Sequence, residues 1–130
     1  MRSRTLLLAA AAVLVAAIAA VFAAPASSGD REVRRAGVCD GAATSKIKLK
    51  AENGRIEVEF EVDQNRNGRA WTVTLRRNGN RFFRGVRTTQ APSGSFEVRR
   101  LTANGAGPDK ITARAVAHRN GQVCKASATW

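Results

Sequence analysis

Histidine occurs once in this 130-residue chain, cysteine twice and tyrosine not at all, and only seven side chains are aromatic. Acidic residues are also scarce, ten against 22 basic ones, for a formal charge of +12. Each shortage excludes something. One His and two Cys cannot furnish the usual N/S tetrahedron of a zinc site. A Ser/His/Asp triad would have to rest on His118 alone. Neither G-x-x-x-x-G-K-[ST] nor G-x-G-x-x-G occurs, so the glycine-rich loops that cradle nucleotide phosphates are missing. At 13.9 kDa the chain has room for one domain. Beyond Ser27 no segment shows a capped 3.6-residue period, so helices are not expected.

What is present begins with an address. Arg2 and Arg4 precede an unbroken apolar run from Leu6 to Ala24. Val21-Phe22-Ala23 and Ala24-Pro25-Ala26 each place small or β-branched residues where a signal peptidase reads them. Residues 1–26 therefore read as a signal peptide, cleaved after Ala23 or Ala26. The alternative is an uncleaved membrane tether, since the run could just span a bilayer. No Cys follows closely enough for a lipid anchor. Export leaves a mature charge of +10 and predicts that Cys39 and Cys124 pair in an oxidising compartment. Residues 27–44, polar and glycine-dotted, read as a flexible lead-in pinned at Cys39, with the folded domain over 45–130.

Five Asn-Gly dipeptides punctuate that domain, at 53–54, 67–68, 78–79, 104–105 and 120–121. Asn-Gly is the strongest short hairpin signal. A two-residue turn at Asn53-Gly54 sets Ala51, Leu49 and Ile47 opposite Ile56, Val58 and Phe60. It also sets Lys50, Lys48 and Lys46 opposite Glu57, Glu59 and Glu61, so a one-residue slip would ruin both faces at once. The same treatment of Asn120-Gly121 sets Ala117, Ala115, Ala113 and Ile111 opposite Cys124, Ala126, Ala128 and Trp130. On the other face it pairs Arg114 with Ser127 and Val116 with Lys125. The Asn78-Gly79 hairpin has two readings. A two-residue turn places Phe82 across from Leu75, and Arg84 on the buried side, where it could lie over Trp71 as a cation–π pair. A three-residue turn places Phe83 across from Leu75.

With Ser95–Leu101 added, seven strands emerge: Ser45–Lys50, Arg55–Val62, Ala70–Arg77, Arg81–Thr88, Ser95–Leu101, Lys110–Ala117 and Val123–Trp130 (A, B, C, C′, E, F, G). Long turn-rich loops at Asp63–Arg69, Thr89–Gly94 and Thr102–Asp109 mark the crossings between sheets. The expected fold is all-β, a sandwich of A-B-E against C′-C-F-G with Trp71 in its core. The stretch Gly107-Pro-Asp-Lys-Ile-Thr-Ala-Arg-Ala115 resembles the G-x-D-x-I-T-A-x-A segment of bacterial immunoglobulin-like and fibronectin-III-like domains. The wider chain, from the apolar leader through Cys39 to Cys-Lys-Ala-Ser-Ala-Thr-Trp130, resembles small secreted single-domain proteins of high-GC, actinobacterial-like bacteria. The first resemblance implies the sandwich and the second implies secretion. Neither implies a function, because such folds carry many.

Candidate chemistry is thin. Asp63-Gln-Asn65-Arg-Asn67-Gly68 matches the first half of a calcium loop, but Thr74 stands where a bidentate Glu is needed and Arg66 and Arg69 crowd the loop. It reads better as a turn. His118 is expected on the outer face without a carboxylate beside it. Glu57, Glu59 and Glu61 have lysine partners and need no catalytic explanation. No nucleophile with a base and an orienting group can be assembled, so a non-enzymatic protein without a cofactor is expected.

Charge is the remaining lead. Residues 64–119 hold twelve basic and two acidic side chains, nearly the whole excess. Arg76, Arg77, Arg81, Arg84 and Arg87 cluster on one hairpin beside Phe82 and Phe83. Guanidinium forks suit phosphate and carboxylate, and Phe83 could stack on a base or a sugar. The partners this suggests are a cell-wall polymer, an acidic polysaccharide or extracellular nucleic acid. Two other readings stay open. Arg outnumbers Lys 17 to 5, a bias that high-GC coding produces unaided, and high net charge also serves solubility. Alternatively, the domain is a protein-partner or enzyme-inhibitor module acting through Asp63–Arg69 and Thr102–Asp109.

Overall fold

Alternation of apolar and polar side chains, interrupted by turn dipeptides, folds the described residues into strands without a helix. The computed structural model describes residues 31–130; the segment read as a signal peptide and the start of the expected lead-in lie outside them. Nine strands are formed: β1 (Glu32–Ala36), β2 (Val38–Cys39), β3 (Thr44–Glu52), β4 (Arg55–Asp63), β5 (Ala70–Arg77), β6 (Asn80–Thr88), β7 (Ser95–Ala103), β8 (Lys110–Ala117) and β9 (Val123–Thr129). They make two antiparallel sheets packed as a sandwich, one in the order β1-β3-β4-β7 and the other β2-β9-β8-β5-β6.

The expected A-B-E and C′-C-F-G orders are both present, but each sheet gains a strand from the segment read as a lead-in. The count is nine, not seven. Period-2 patterning missed β1 because its burial does not alternate: Val33 is half-buried and its four neighbours in the strand are exposed. An edge strand held by main-chain pairing needs no apolar face. Between β1 and β2 the chain crosses from one sheet to the other at Gly37. A Cβ there would come within 2.5 Å of the Lys125 carbonyl oxygen and closer still to Ser45 Oγ, so only glycine permits the crossing. The crossing delivers Cys39 opposite Cys124, and the two form a disulfide with Cα atoms 4.1 Å apart.

The β3–β4 hairpin has the register expected from its charge pattern, from Glu52 opposite Arg55 to Thr44 opposite Asp63. Asn53 and Gly54 both have positive φ (48° and 77°), which matches the two-residue turn that follows strand twist. The β5–β6 hairpin combines its two readings. Asn78-Gly79 is again a two-residue turn with positive φ at both positions, and a bulge then shifts the ladder so that Phe83 faces Leu75. The bulge returns Val73 and Trp71 to partners Gly85 and Arg87 and turns Arg84 outward, opposite Thr74. Arg84 therefore does not lie over Trp71.

The β8–β9 register departs from expectation by two residues. Ala113 faces Ala126 and Ala115 faces Cys124, because His118–Gly121 form a four-residue loop. Gly121 N donates to Ala117 O (3.0 Å), and Asn120 Oδ1 accepts from Gln122 N (3.0 Å). An even shift conserves the faces, so the alanine floor remains buried while the outward pairs change. That floor leaves room for Leu49, Ile56, Phe60, Trp71 and Leu75, all fully buried. Each contributes about 1.5–3 kcal/mol or more of burial free energy.

Candidate functional site

Alternation along β5, β6, β8 and β9 sends every second side chain to the outer face of the five-stranded sheet. Reading across one row, Arg84, Thr74, Arg114 and Lys125 lie on neighbouring strands, and Val38 of β2 closes the row. In the next row Arg81, Arg76, Thr112 and Ser127 are neighbours. With strands about 4.8 Å apart, the cations of the first row span roughly 14 Å. Two clefts share Thr74, Arg76 and Arg114 and so run together across the face. The larger, about 530 Å³, is walled by Arg35 to Val38 of the crossing segment. The smaller, about 360 Å³, lies between Arg81 and Arg84 on one side and Val116 on the other. Among the described residues neither cleft has an acidic side chain in its lining. Thr72, Thr74, Thr112 and Ser127, whose hydroxyls both donate and accept, line the clefts alongside apolar surface from Val38 and the alanines.

The four-stranded sheet is the control. On its outer face Lys46 pairs with Glu61 (3.3 Å), Lys48 with Glu59, and Lys50 with Glu57 (3.7 Å). Arg99 of β7 adds contacts to Glu59 (2.8 Å) and Glu97 (3.3 Å). Burial pushes the Glu59 carboxyl up, but the hydrogen bond and charge of Lys48 together with Arg99 outweigh it and hold it below its ordinary value. On their outer faces, one sheet thus pairs Lys46, Lys48 and Lys50 with carboxylates across its central ladder, whereas Arg76, Arg81, Arg84, Arg114 and Lys125 of the other form no ion pair among the described residues. Like charges directly opposite, as at Arg76/Arg81 and Arg114/Lys125, destabilise a sheet.

The five arginines expected as one cluster fall in three places. Arg76, Arg81 and Arg84 are on the outer face. Arg77 points the other way, and its Nε and Nη2 both donate to Asp109 Oδ1 at 2.7 Å. Asp109 is almost wholly buried, also accepts from Gly105 N (2.9 Å) and Asn78 Nδ2 (3.2 Å), and so ties the β7–β8 loop to the β5–β6 turn. The Gly105 amide first, and Arg77 after it, hold its carboxyl below the ordinary 3.8 against the opposing effect of burial. Arg87 lies at the sandwich edge with its guanidinium 5.2 Å from the Phe83 ring centroid, and Arg100 of β7 covers the same ring at 4.4 Å. Phe82 and Phe83 pack against the core, so neither offers the outer face a stacking platform.

Arg114, Lys125, Lys110 and Arg35, which complete the basic face, were not singled out from sequence. The signal was there in the alternation of β8 and β9. The two-residue register offset hid it by pairing Arg114 with Ser127 rather than with Lys125. Of the other candidates, His118 is outward and its Nε2 shares a 2.8 Å hydrogen bond with Thr72 Oγ1. Asp63 Oδ1 accepts from Asn65 N at 2.9 Å, an Asx turn, and Asn65 has positive φ. Asn67 is exposed, and its neighbour Gly68 donates its amide to Thr89 O. The loop is thus held by the Asp63 carboxylate and by Thr89 of the β6–β7 loop. Comparison with protein-family models and with curated proteins finds no match to this chain.

Proposed function

We propose that the chain is an exported, non-enzymatic binding module of the immunoglobulin-like or fibronectin-III-like kind, whose five-stranded sheet docks an acidic polysaccharide or anionic wall polymer. The observation that carries this reading is the contrast between the two outer faces. A sheet that could have alternated Lys with Glu, as its partner does, instead presents Arg76, Arg81, Arg84, Arg114 and Lys125 without an acid among them. A row of cations beside hydroxyls suits a polymer that carries regularly spaced negative charge and sugar hydroxyls. Single-stranded nucleic acid is disfavoured, since binding it draws on aromatic stacking, and both phenylalanines of β6 are turned to the core. The Cys39–Cys124 disulfide supports an oxidising compartment. Among the described residues no helix is long and apolar enough to cross a membrane.

Salt titration tests the proposal, with heparin as the probe. Engagement of about four cations gives a slope near −3 in log K against log salt, roughly a hundredfold loss of affinity between 50 and 200 mM. Arg84→Gln with Arg114→Gln should flatten that slope, whereas Lys46→Gln on the compensated face should not. Absence of binding at ~50 mM salt, or binding indifferent to salt, would end the polyanion reading.

A further inference from the structure

The geometry points to a second, separate ligand site at one pole of the sandwich, built to take a single oxyanion group, a carboxylate or a phosphate monoester. The β2–β3, β4–β5 and β8–β9 loops enclose an open pocket there of about 590 Å³. Arg66 and Arg69 enter it from the β4–β5 loop and Arg119 from the β8–β9 loop. None of the three forms an ion pair among the described residues. Arg69 is half-buried and its main-chain amide donates to Thr89 Oγ1 at 2.9 Å, so the residue is held at the pocket wall. The one carboxylate in the lining, Asp40, is already engaged, its Oδ1 accepting from Val123 N at 2.8 Å.

The amides of the pocket are donors too. Gln64 Oε1 accepts from the Trp71 indole at 3.0 Å, which fixes the carboxamide and leaves its NH2 as the uncommitted end. Gln122 Nε2 is buried and lacks a partner among the described residues. Among the described residues three arginines and two carboxamides line the pocket against a single carboxylate, an excess of positive charge and donors that an acceptor-rich negative group balances. Guanidinium forks bind carboxylate and phosphate bidentately. No residue of this pocket lines the two clefts of the outer face, so the site does not rest on the polymer reading.

The test is a titration of the intact folded protein, followed by ¹⁵N–¹H correlation spectra at constant ionic strength. Glycerol 3-phosphate is the phosphate probe and succinate the carboxylate probe. Saturating shifts of the Gln122 and Gln64 side-chain NH2 signals are expected with at least one probe, and which one responds identifies the preferred oxyanion. Arg69→Gln and Arg119→Gln should each weaken that binding roughly tenfold, as loss of a charge-assisted bidentate contact does, and Arg114→Gln should leave it unchanged. Should Arg69→Gln fail to fold, Arg119→Gln, on an exposed loop, decides alone. The site is overturned if neither probe saturates, if equivalent chloride reproduces the shifts, or if Arg119→Gln binds like the parent.

Discussion

Replacing Arg114 by glutamate should make this protein more stable while weakening the proposed binding of polyanions. Arg114 is exposed on β8, directly opposite Lys125 and one strand removed from Arg84 across Thr74. Strand spacing puts the first pair of charges about 5–6 Å apart and the second about 10 Å apart. At water-like dielectric the near repulsion is about 0.7 kcal/mol. Screening at 0.15 M halves it, and the far pair adds about 0.1. Arg114→Gln removes this repulsion for a gain of about 0.5 kcal/mol, and Arg114→Glu reverses its sign for a total near 1 kcal/mol. At 1 M salt, where the screening length is about 3 Å, the gains should shrink to about 0.1 kcal/mol for Arg114→Gln and about 0.3 kcal/mol for Arg114→Glu. Urea is the denaturant to use, because guanidinium would itself screen the charges. Heparin affinity measured on the same samples should move the opposite way. A lower urea midpoint for Arg114→Glu at 0.15 M salt would refute the account of an uncompensated ladder. So would a gain that persists at 1 M, since that would trace to packing rather than to charge.

Two further outcomes follow from the two ties that hold the ends of the sandwich. Cys39→Ala with Cys124→Ala opens a loop closed across a sequence separation of 85, and the chain-entropy model puts the loss at about 4–5 kcal/mol; a urea midpoint unchanged from the parent, measured without reductant, would show that the bridge contributes little. Asp109 has its carboxyl held below 3.8, so its stabilisation is present above that pH and disappears as pH falls through the lowered folded value. The difference in melting temperature between the parent and Asp109→Asn should therefore be widest near neutrality and narrow below about pH 4, and a gap constant down to pH 2 would contradict the Arg77–Asp109 assignment.

Much of the fold is legible in particular residues. The β3–β4 ladder can be written out from Lys46 to Glu61 because its two faces are chemically opposite, and a single slip penalises both. Loops at Asp63–Arg69, Thr89–Gly94 and Thr102–Asp109 do carry the chain between sheets, as their length and turn content imply. β1 escaped because its contribution is main-chain pairing to β3, which leaves no pattern in side-chain hydropathy. The β8–β9 register lies two residues from the expected one because a two-residue and a four-residue turn preserve the same faces, so alternation does not distinguish them. The bulge in β6 was likewise invisible as such, although Arg84 on a buried face signalled that a simple ladder could not be right.

The candidate site divides along the same line. Sequence alone determined that the excess charge lies in residues 64–119, that the A–B hairpin is self-neutralising, and that strands alternate between a buried and a solvated face, because each is set by neighbours along the chain or across one turn. Only the tertiary structure decided which arginines share a surface. It sent Arg77 to Asp109 and Arg87 to Phe83, and it brought Arg114 and Lys125 beside Arg76, Arg81 and Arg84. Those placements depend on a bulge, a loop length and pairing between strands far apart in the chain. A change of one or two residues in register moves a guanidinium to another face or another partner without altering the composition at all.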